Sequence, residues 1–265
     1  MKTILHNLLE LSEKHSSAEA LKYYRNGSWQ SWTWSDFSSR IDELTAAILN
    51  LKLKKHSRIA IFSETRVEWS VTDWAIMSTH SVTVPIYHNS QVTEVKYILD
   101  HSQAEVIFLE NRACFKVWNQ IKDQCPKVKK VIAFDYDDSM GADAVPYQDF
   151  LVEGAQTLPD LEKEIIHRRK SAKADDWATL IYTSGTTGVP KGVVLNHSQI
   201  SSEVNEAFQM CGVNSEDVSL SFLPYAHVLG RVEHWAHIVY GYTLCFAQSI
   251  EKLRLDLKVI KPTIM

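Results

Sequence analysis

Apolar positions along this chain recur at two spacings, and the alternation between them sets out an architecture. Residues 35–51 (SDFSSRIDELTAAILNL) place Phe37, Ile41, Leu44, Ile48 and Leu51 on one stripe at helical spacing, behind Ser35 as the expected N-cap. RIAIFS at residues 58–63 then reads as a buried strand, and residues 67–79 as a helix. VTVPIY (82–87) is the next expected strand and residues 93–100 the next helix. EVIFLE (105–110) and VKKVIAF (128–134) continue the series, with a helix over residues 113–124 between them. Short apolar strands alternating with helices of about ten residues predict right-handed βαβ units on a parallel sheet. The expected fold class is α/β, with parallel-rich sheets flanked by helices and ligands at the carboxyl ends of the strands.

The pattern changes between residues 135 and 176. DYDDSMGADAVP is acidic and turn-rich, and LEKEIIHRRKSAKADD reads as a charged helix or connector with a solvated face. This segment divides the chain into an N-terminal α/β subdomain, residues 1–170, and the start of a second α/β subdomain, residues 171–265. In the second part, residues 193–195 form a short extended run, 198–210 an amphipathic helix and 220–224 another strand. The sequence closes on VIKPTIM, apolar and β-like with no polar residue after it, and so reads as part of a longer protein.

Composition narrows the class without naming it. The chain has 265 residues, 45% apolar and 23% charged, which is ordinary for a globular protein. A net charge of −4 and a pI near 6.3 give no electrostatic basis for binding nucleic acid. Cys114, Cys125, Cys211 and Cys245 stand far apart with no ligand spacing, and read as unpaired, buried thiols of a cytoplasmic protein. MKTILHNLLELSEKH carries Glu10 and Glu13 where a signal peptide needs an unbroken apolar core, so an amphipathic helix is expected. The most apolar late segment, residues 232–248, is interrupted by Glu233, His234 and His237 and is too short and polar to span a bilayer. Peripheral membrane association stays open.

Chemistry concentrates in TSGTTGVPKG at residues 183–192, set between the apolar runs ATLIY and VVLNH. A Walker loop requires GxxxxGK(S/T). Counted from Gly185, Pro190 stands where the second Gly belongs, and Gly192 follows Lys191 where a hydroxyl belongs. The needs of an anion site are met in other ways. Gly185 and Gly188 allow close backbone approach, and consecutive N–H groups can form a nest. Thr183, Ser184, Thr186 and Thr187 add hydroxyls, and Lys191 adds a charge. Pro190 restricts its own φ and biases Val189 towards extended backbone.

The run YTSGTTGVPKGVVLNH resembles the phosphate-binding signature of the adenylate-forming, AMP-producing ligases. LPYAHVLGR (223–231) resembles the LP-x-(S/A)-H-x-x-x-R segment of long-chain fatty acyl-CoA synthetases within that superfamily. DLKVIKPTIM resembles the run that leads into their VPR motif, and WQSWTWSDF and PIYHNSQVTEVKYILDHSQAEVIFLE match their N-terminal region. The resemblance covers nearly the whole chain and about the first half of a family member. It implies that Ser184, Gly185, Thr186, Thr187 and Gly188 wrap the β- and γ-phosphates of ATP. It also implies that Thr183 helps hold Mg²⁺, that Lys191 neutralises the departing pyrophosphate, and that His227 lies where nucleotide and acyl pockets meet. The implied reaction joins a long-chain fatty acid to ATP as an acyl-adenylate, which coenzyme A then converts to acyl-CoA. Because carboxylate and triphosphate repel, this chemistry calls for positioning, a metal and a neutral or basic lining.

Several readings stay open at this stage. His227 fits either the site or a satisfied core position, and Arg231 fits either the site or a structural salt bridge. Trp235 and Tyr240 fit either an acyl tunnel or core packing. Tyr225, Leu229 and Gly230 depart from the long-chain pattern, which bears on acyl-chain length. The family's adenine-binding YGxTE segment, its ribose-binding Asp, its hinge and its small domain with the catalytic lysine have no counterpart in these residues. The 265 residues alone are therefore expected to show no fatty-acid-dependent ATP–pyrophosphate exchange. An aryl- or amino-acid-activating ligase, or a non-catalytic phosphate-binding α/β module, are the alternatives.

Overall fold

A computed structural model describes residues 2–183 and 190–265. In chain order the elements begin with α1 (Ile4–Lys14), the hairpin β1 (Glu19–Arg25) and β2 (Ser28–Thr33), and α2 (Trp34–Asn50). An alternating series follows: β3 (Arg58–Phe62), α3 (Val67–Ser78), β4 (Val82–Ile86), α4 (Val92–Ser102), β5 (Val106–Leu109), α5 (Arg112–Ile121) and β6 (Lys130–Ala133). Next come β7 (Val145–Pro146), α6 (Tyr147–Ser171), β8 (Trp177–Thr183), β9 (Lys191–Asn196) and α7 (His197–Phe208). The last elements are β10 (Val218–Ser221), α8 (Val228–Tyr240), β11 (Thr243–Phe246) and α9 (Leu253–Ile260).

Two sheets result. Seven strands pair in the order β7-β6-β5-β3-β4-β8-β9, parallel except for the antiparallel β8–β9 pair. Four strands pair in the order β10-β11-β1-β2, where only the β1–β2 hairpin is antiparallel. A cut between residues 170 and 171 runs across both sheets: β8 and β9 complete the sheet begun by β3, and β1 joins β11 of the other. Strand pairing is a long-range property that the acidic turn-rich composition of residues 135–146 does not report.

Alternation along the central strands explains the layers. Ile59, Ile61, Val106 and Phe108 face one core, shared with α1, α2, α3, α6 and α8. Ala60, Phe62, Ile107 and Leu109 face another, covered by α4 and α5. Strands buried on both faces read as unbroken apolar runs, which is why they were legible. Every residue of α3 is buried, including Glu68 and Asp73, so this helix has no solvent stripe. Its Trp69 and Trp74 are wholly buried, each worth roughly 2–3 kcal/mol of transfer free energy.

Two local expectations need correction. The α2 cap is Thr33 and not Ser35: Thr33 Oγ1 accepts from the Asp36 N–H at 3.1 Å, and Asp36 Oδ2 accepts from the Thr33 N–H at 2.9 Å. The charged run after residue 160 is not wholly solvated. Arg169 is buried in α6, donates to Ser78 Oγ at 2.9 Å and pairs with Asp42 at 2.6 Å. Gly154 makes that α2–α6 contact close, since a Cβ there would fall 1.9 Å from the Glu43 carbonyl oxygen.

Candidate functional site

The signature segment is the connection between β8 and β9. Thr183 and Lys191 are register partners, so the two ends of TSGTTGVPKG face each other across an antiparallel pair. Both are exposed, leaving the hydroxyl and the ammonium available to a ligand. Ser184, Gly185, Thr186, Thr187 and Gly188 lie outside the described residues. The hairpin is tied to α4. Tyr97 Oη donates to the Pro190 carbonyl at 2.9 Å, and His101 Nδ1 lies 2.8 Å from Tyr182 Oη. Burial pushes the Tyr182 phenol up to about 12, so it stays neutral. Gly192 sits opposite Tyr182, and a Cβ there would come within 3.3 Å of that ring and 3.0 Å of Leu180 Cδ1. The glycine that breaks the Walker pattern thus lets an aromatic side chain close over the strand pair. Tyr97 was not singled out from the sequence; its spacing reads as an ordinary helix position.

The loop leaves at the carboxyl edge of the sheet. Thr83 of β4 stands opposite Thr179 of β8, which brings Thr183 to about the level of Tyr87 at strand spacing. On that edge a cleft of about 330 Å³ opens between the carboxyl ends of β3, β4, β10 and β11, walled by Thr65, Tyr87, His88, Phe222 and Ala226 among others. Thr65 joins the two sheets there: its hydroxyl donates to the Leu223 carbonyl at 2.8 Å and accepts from the Tyr225 N–H at 2.9 Å. Glu64 and Glu251 also stand on the wall. This cleft wall thus carries two carboxylates, and neither Thr183 nor Lys191 is among its described residues.

His227 follows Ala226 and caps α8, with Nδ1 accepting from the Leu229 N–H at 3.3 Å. It is exposed, so the core reading fails, and Nε2 is the nitrogen open to a ligand. Among the described residues no hydrogen bond links His227 to Thr183 or Lys191; the fold sets them on one edge as separate groups. Gly230 is required by the turn: a Cβ there would lie 2.7 Å from the Pro224 carbonyl oxygen. Beside the first turns of α8 an apolar cavity of about 230 Å³ is bounded by Leu220, Phe222, Leu229, Val232, Ile264 and Met265, with Glu233 on its wall. The i, i+3 spacing of Leu229 and Val232 was the available signal for it.

Further along α8, Arg231 is structural. It is wholly buried and pairs with Asp73 of α3 at 2.9 Å, between the rings of Trp69 and Trp235 at 4.8 Å each. His234 Nε2 lies 3.2 Å from the other Asp73 oxygen. Burial alone pushes the Asp73 carboxyl up, but Arg231 and the His234 hydrogen bond outweigh it and hold it below its usual value. Burial holds His234 below its own usual value despite Asp73, so the ring is neutral and donates from Nε2. This cluster fixes the register of the helix whose first turn carries His227. Trp235 is core, and Tyr240 packs on Phe208 at 5.7 Å; neither bounds the cavity. All four cysteines are unpaired, but Cys211 is exposed where a buried thiol was expected.

The pair of sheets has the fold of the N-terminal part of the large domain of adenylate-forming enzymes. Solved structures share the fold: the inhibitor-bound N-terminal domain of FACL13 from Mycobacterium tuberculosis, at TM-score 0.76 and 23% identity, covers 98% of this chain and 61% of its own. A long-chain-fatty-acid–CoA ligase (FadD1) from Archaeoglobus fulgidus, at TM-score 0.78 and 15% identity, covers 99% and 50%. The family model described as AMP-binding enzyme matches residues 9–265, and the chain belongs to that family. The long-chain-fatty-acid–CoA ligase FadD15 of Mycobacterium bovis is 33% identical over 243 residues, 91% of this chain and 39% of that protein. The chain thus spans about two fifths of the length of the curated relatives it matches. No helix among the described residues is long and apolar enough to cross a membrane.

Proposed function

We propose that the protein containing these residues activates a long-chain fatty acid. The fatty-acid carboxylate attacks the α-phosphate of ATP, giving acyl-adenylate and pyrophosphate; the thiol of coenzyme A then displaces AMP. The observation that carries this reading is the Thr183–Lys191 pairing, which holds the two ends of the signature loop together at the carboxyl edge. Ser184 to Gly188 supply backbone donors to the β- and γ-phosphates in this reading. Lys191 offsets the charge that builds on pyrophosphate as it leaves. Glu64 and Glu251 disfavour phosphate inside the cleft itself, so the phosphates belong on the Lys191 side. His227 stands in the chain between Ala226, which lines the cleft, and Leu229, which lines the apolar cavity; in this reading it offers Nε2 between nucleotide and acid, and the cavity takes the start of an acyl chain.

Mg²⁺ fits the donor set. This ion takes few protein ligands when phosphates and water complete its shell. The exposed Thr183 hydroxyl is such a hard ligand. When bound, the ion neutralises phosphate charge. Every protein group named here only binds, orients or offsets charge.

The relatives' printed names favour a fatty-acid substrate over an aryl or amino acid. Pyrophosphate release by the full-length protein, screened over palmitate, benzoate and the standard amino acids, tests this. Release with palmitate alone is expected. Release with benzoate or an amino acid in preference to palmitate overturns the substrate class, and no release with any acid overturns adenylation.

A further inference from the structure

The opposite edge of the seven-stranded sheet carries a second concavity, distant from the loop. At the amino ends of β3, β5 and β6 a cleft of about 880 Å³ opens between the connections that lead into those strands. Lys52, Lys54, Lys55 and Arg58 line it, with three lysines in residues 127–130, against a single carboxylate, Glu105. Seven cations to one anion make a local +6 in a chain whose net charge is −4, so the other residues sum to −10.

Ordinary folding needs explain only part of this. Three helices, α2, α4 and α5, end at this edge. Each C-terminus presents roughly half a negative charge, about −1.5 together. Lys55 is also paired with Asp176 at 2.6 Å. These leave about +3.5 without a counter-charge. Among the described residues Lys52, Lys54, Lys127 and Lys129 have no ion-pair partner. Arg58 is held rigidly, donating from Nε to the Ser102 carbonyl at 2.6 Å and from Nη1 to the His56 carbonyl at 3.1 Å. Those partners are neutral, so its position is fixed while its charge stays available. Leu51, Leu53, Val106 and Pro126 add an apolar floor.

We infer that this cleft is a binding site for a soluble ligand that carries several phosphates on an organic body. The lysines meet the phosphates, and the apolar floor meets the body. A lipid headgroup offers the same phosphate chemistry, but a flat membrane would reach the rim lysines and not the floor or Arg58. The inference is independent of the adenylation reading, because it concerns the other edge of the sheet.

The test is calorimetric titration of the full chain with inorganic tripolyphosphate at about 50 and about 200 mM salt. A Lys191→Ala background removes the cationic side chain of the signature loop, and the loop's remaining backbone donors are common to every protein compared. Binding is expected to weaken about ten-fold over that salt range. It is also expected to weaken about ten-fold or more when Lys54→Glu, Lys127→Glu and Lys129→Glu are combined, with the thermal midpoint unchanged because all three positions are exposed. Tripolyphosphate binding that the triple variant leaves intact places the anion elsewhere and overturns the inference. Absence of tripolyphosphate binding overturns it as well. Co-sedimentation with phosphatidylglycerol vesicles in that case assigns the cations to a lipid headgroup instead.

Discussion

Replacing Asp73 by alanine strands the Arg231 guanidinium in the core. Asp73 and Arg231 are both wholly buried, 2.9 Å apart, and the second Asp73 oxygen holds His234 at 3.2 Å. Removing one partner of such a pair leaves a buried charge uncompensated, at about 3–5 kcal/mol. For a chain of this size that lowers the thermal midpoint by about 6–20 °C. Removing both charges, as in Asp73→Leu with Arg231→Met, is expected to cost less than Asp73→Ala alone. Urea or thermal unfolding of the three proteins is the assay. The Asp73 carboxyl is held below its usual value, so its contribution is full above the unfolded carboxyl pKa. It is lost as pH falls through the lower folded value. A penalty under about 1 kcal/mol for Asp73→Ala, or a double variant at least as costly as Asp73→Ala, would refute the assignment of this pair as the clamp between α3 and α8.

Two further outcomes follow from the geometry. Burial holds His197 down to about 4, so the unfolded chain binds the extra proton between pH 6.5 and 4. Stability is expected to fall by about 3 kcal/mol as pH drops through that window; a His197→Gln variant whose urea midpoint keeps the same slope contradicts this. Tyr97→Phe removes the donor to the Pro190 carbonyl, worth about 1 kcal/mol. It is expected to raise KM for ATP in the full-length enzyme while leaving the thermal midpoint within a few degrees, and an unchanged KM shows that α4 does not anchor the loop.

Legibility divided along physical lines. The run from β3 to β6 was readable because each strand is buried on both faces and the helices α4 and α5 each carry an apolar stripe, while α3, buried all round, was bounded by the strands on either side of it. The β1–β2 hairpin was not read, although its signal is present. Asn26 and Gly27 occupy positive φ at 52° and 85°, the two-residue turn that Asn-Gly favours. Its strands carry Lys, Ser and Gln among the aromatics, so no apolar run announces them. The crossing of strands between sheets and the Asp73–Arg231 pair, 158 positions apart, depend on contacts that no local window contains. At the candidate site, Thr183 and Lys191 were singled out from residue types, and their pairing across the hairpin came only with the fold. The exposed cap at His227, the anchor at Tyr97 and the acidic cleft wall needed the fold.

The central claim is that the β8–β9 hairpin handles the triphosphate during carboxylate activation. Palmitate-dependent ATP–pyrophosphate exchange, measured on the full-length protein and on its Lys191→Ala variant, addresses it most directly. Exchange by the parent protein that falls about 10²-fold or more in the variant, a loss of about 3 kcal/mol of transition-state stabilisation, is the expected result. Equal exchange by both proteins would contradict the account.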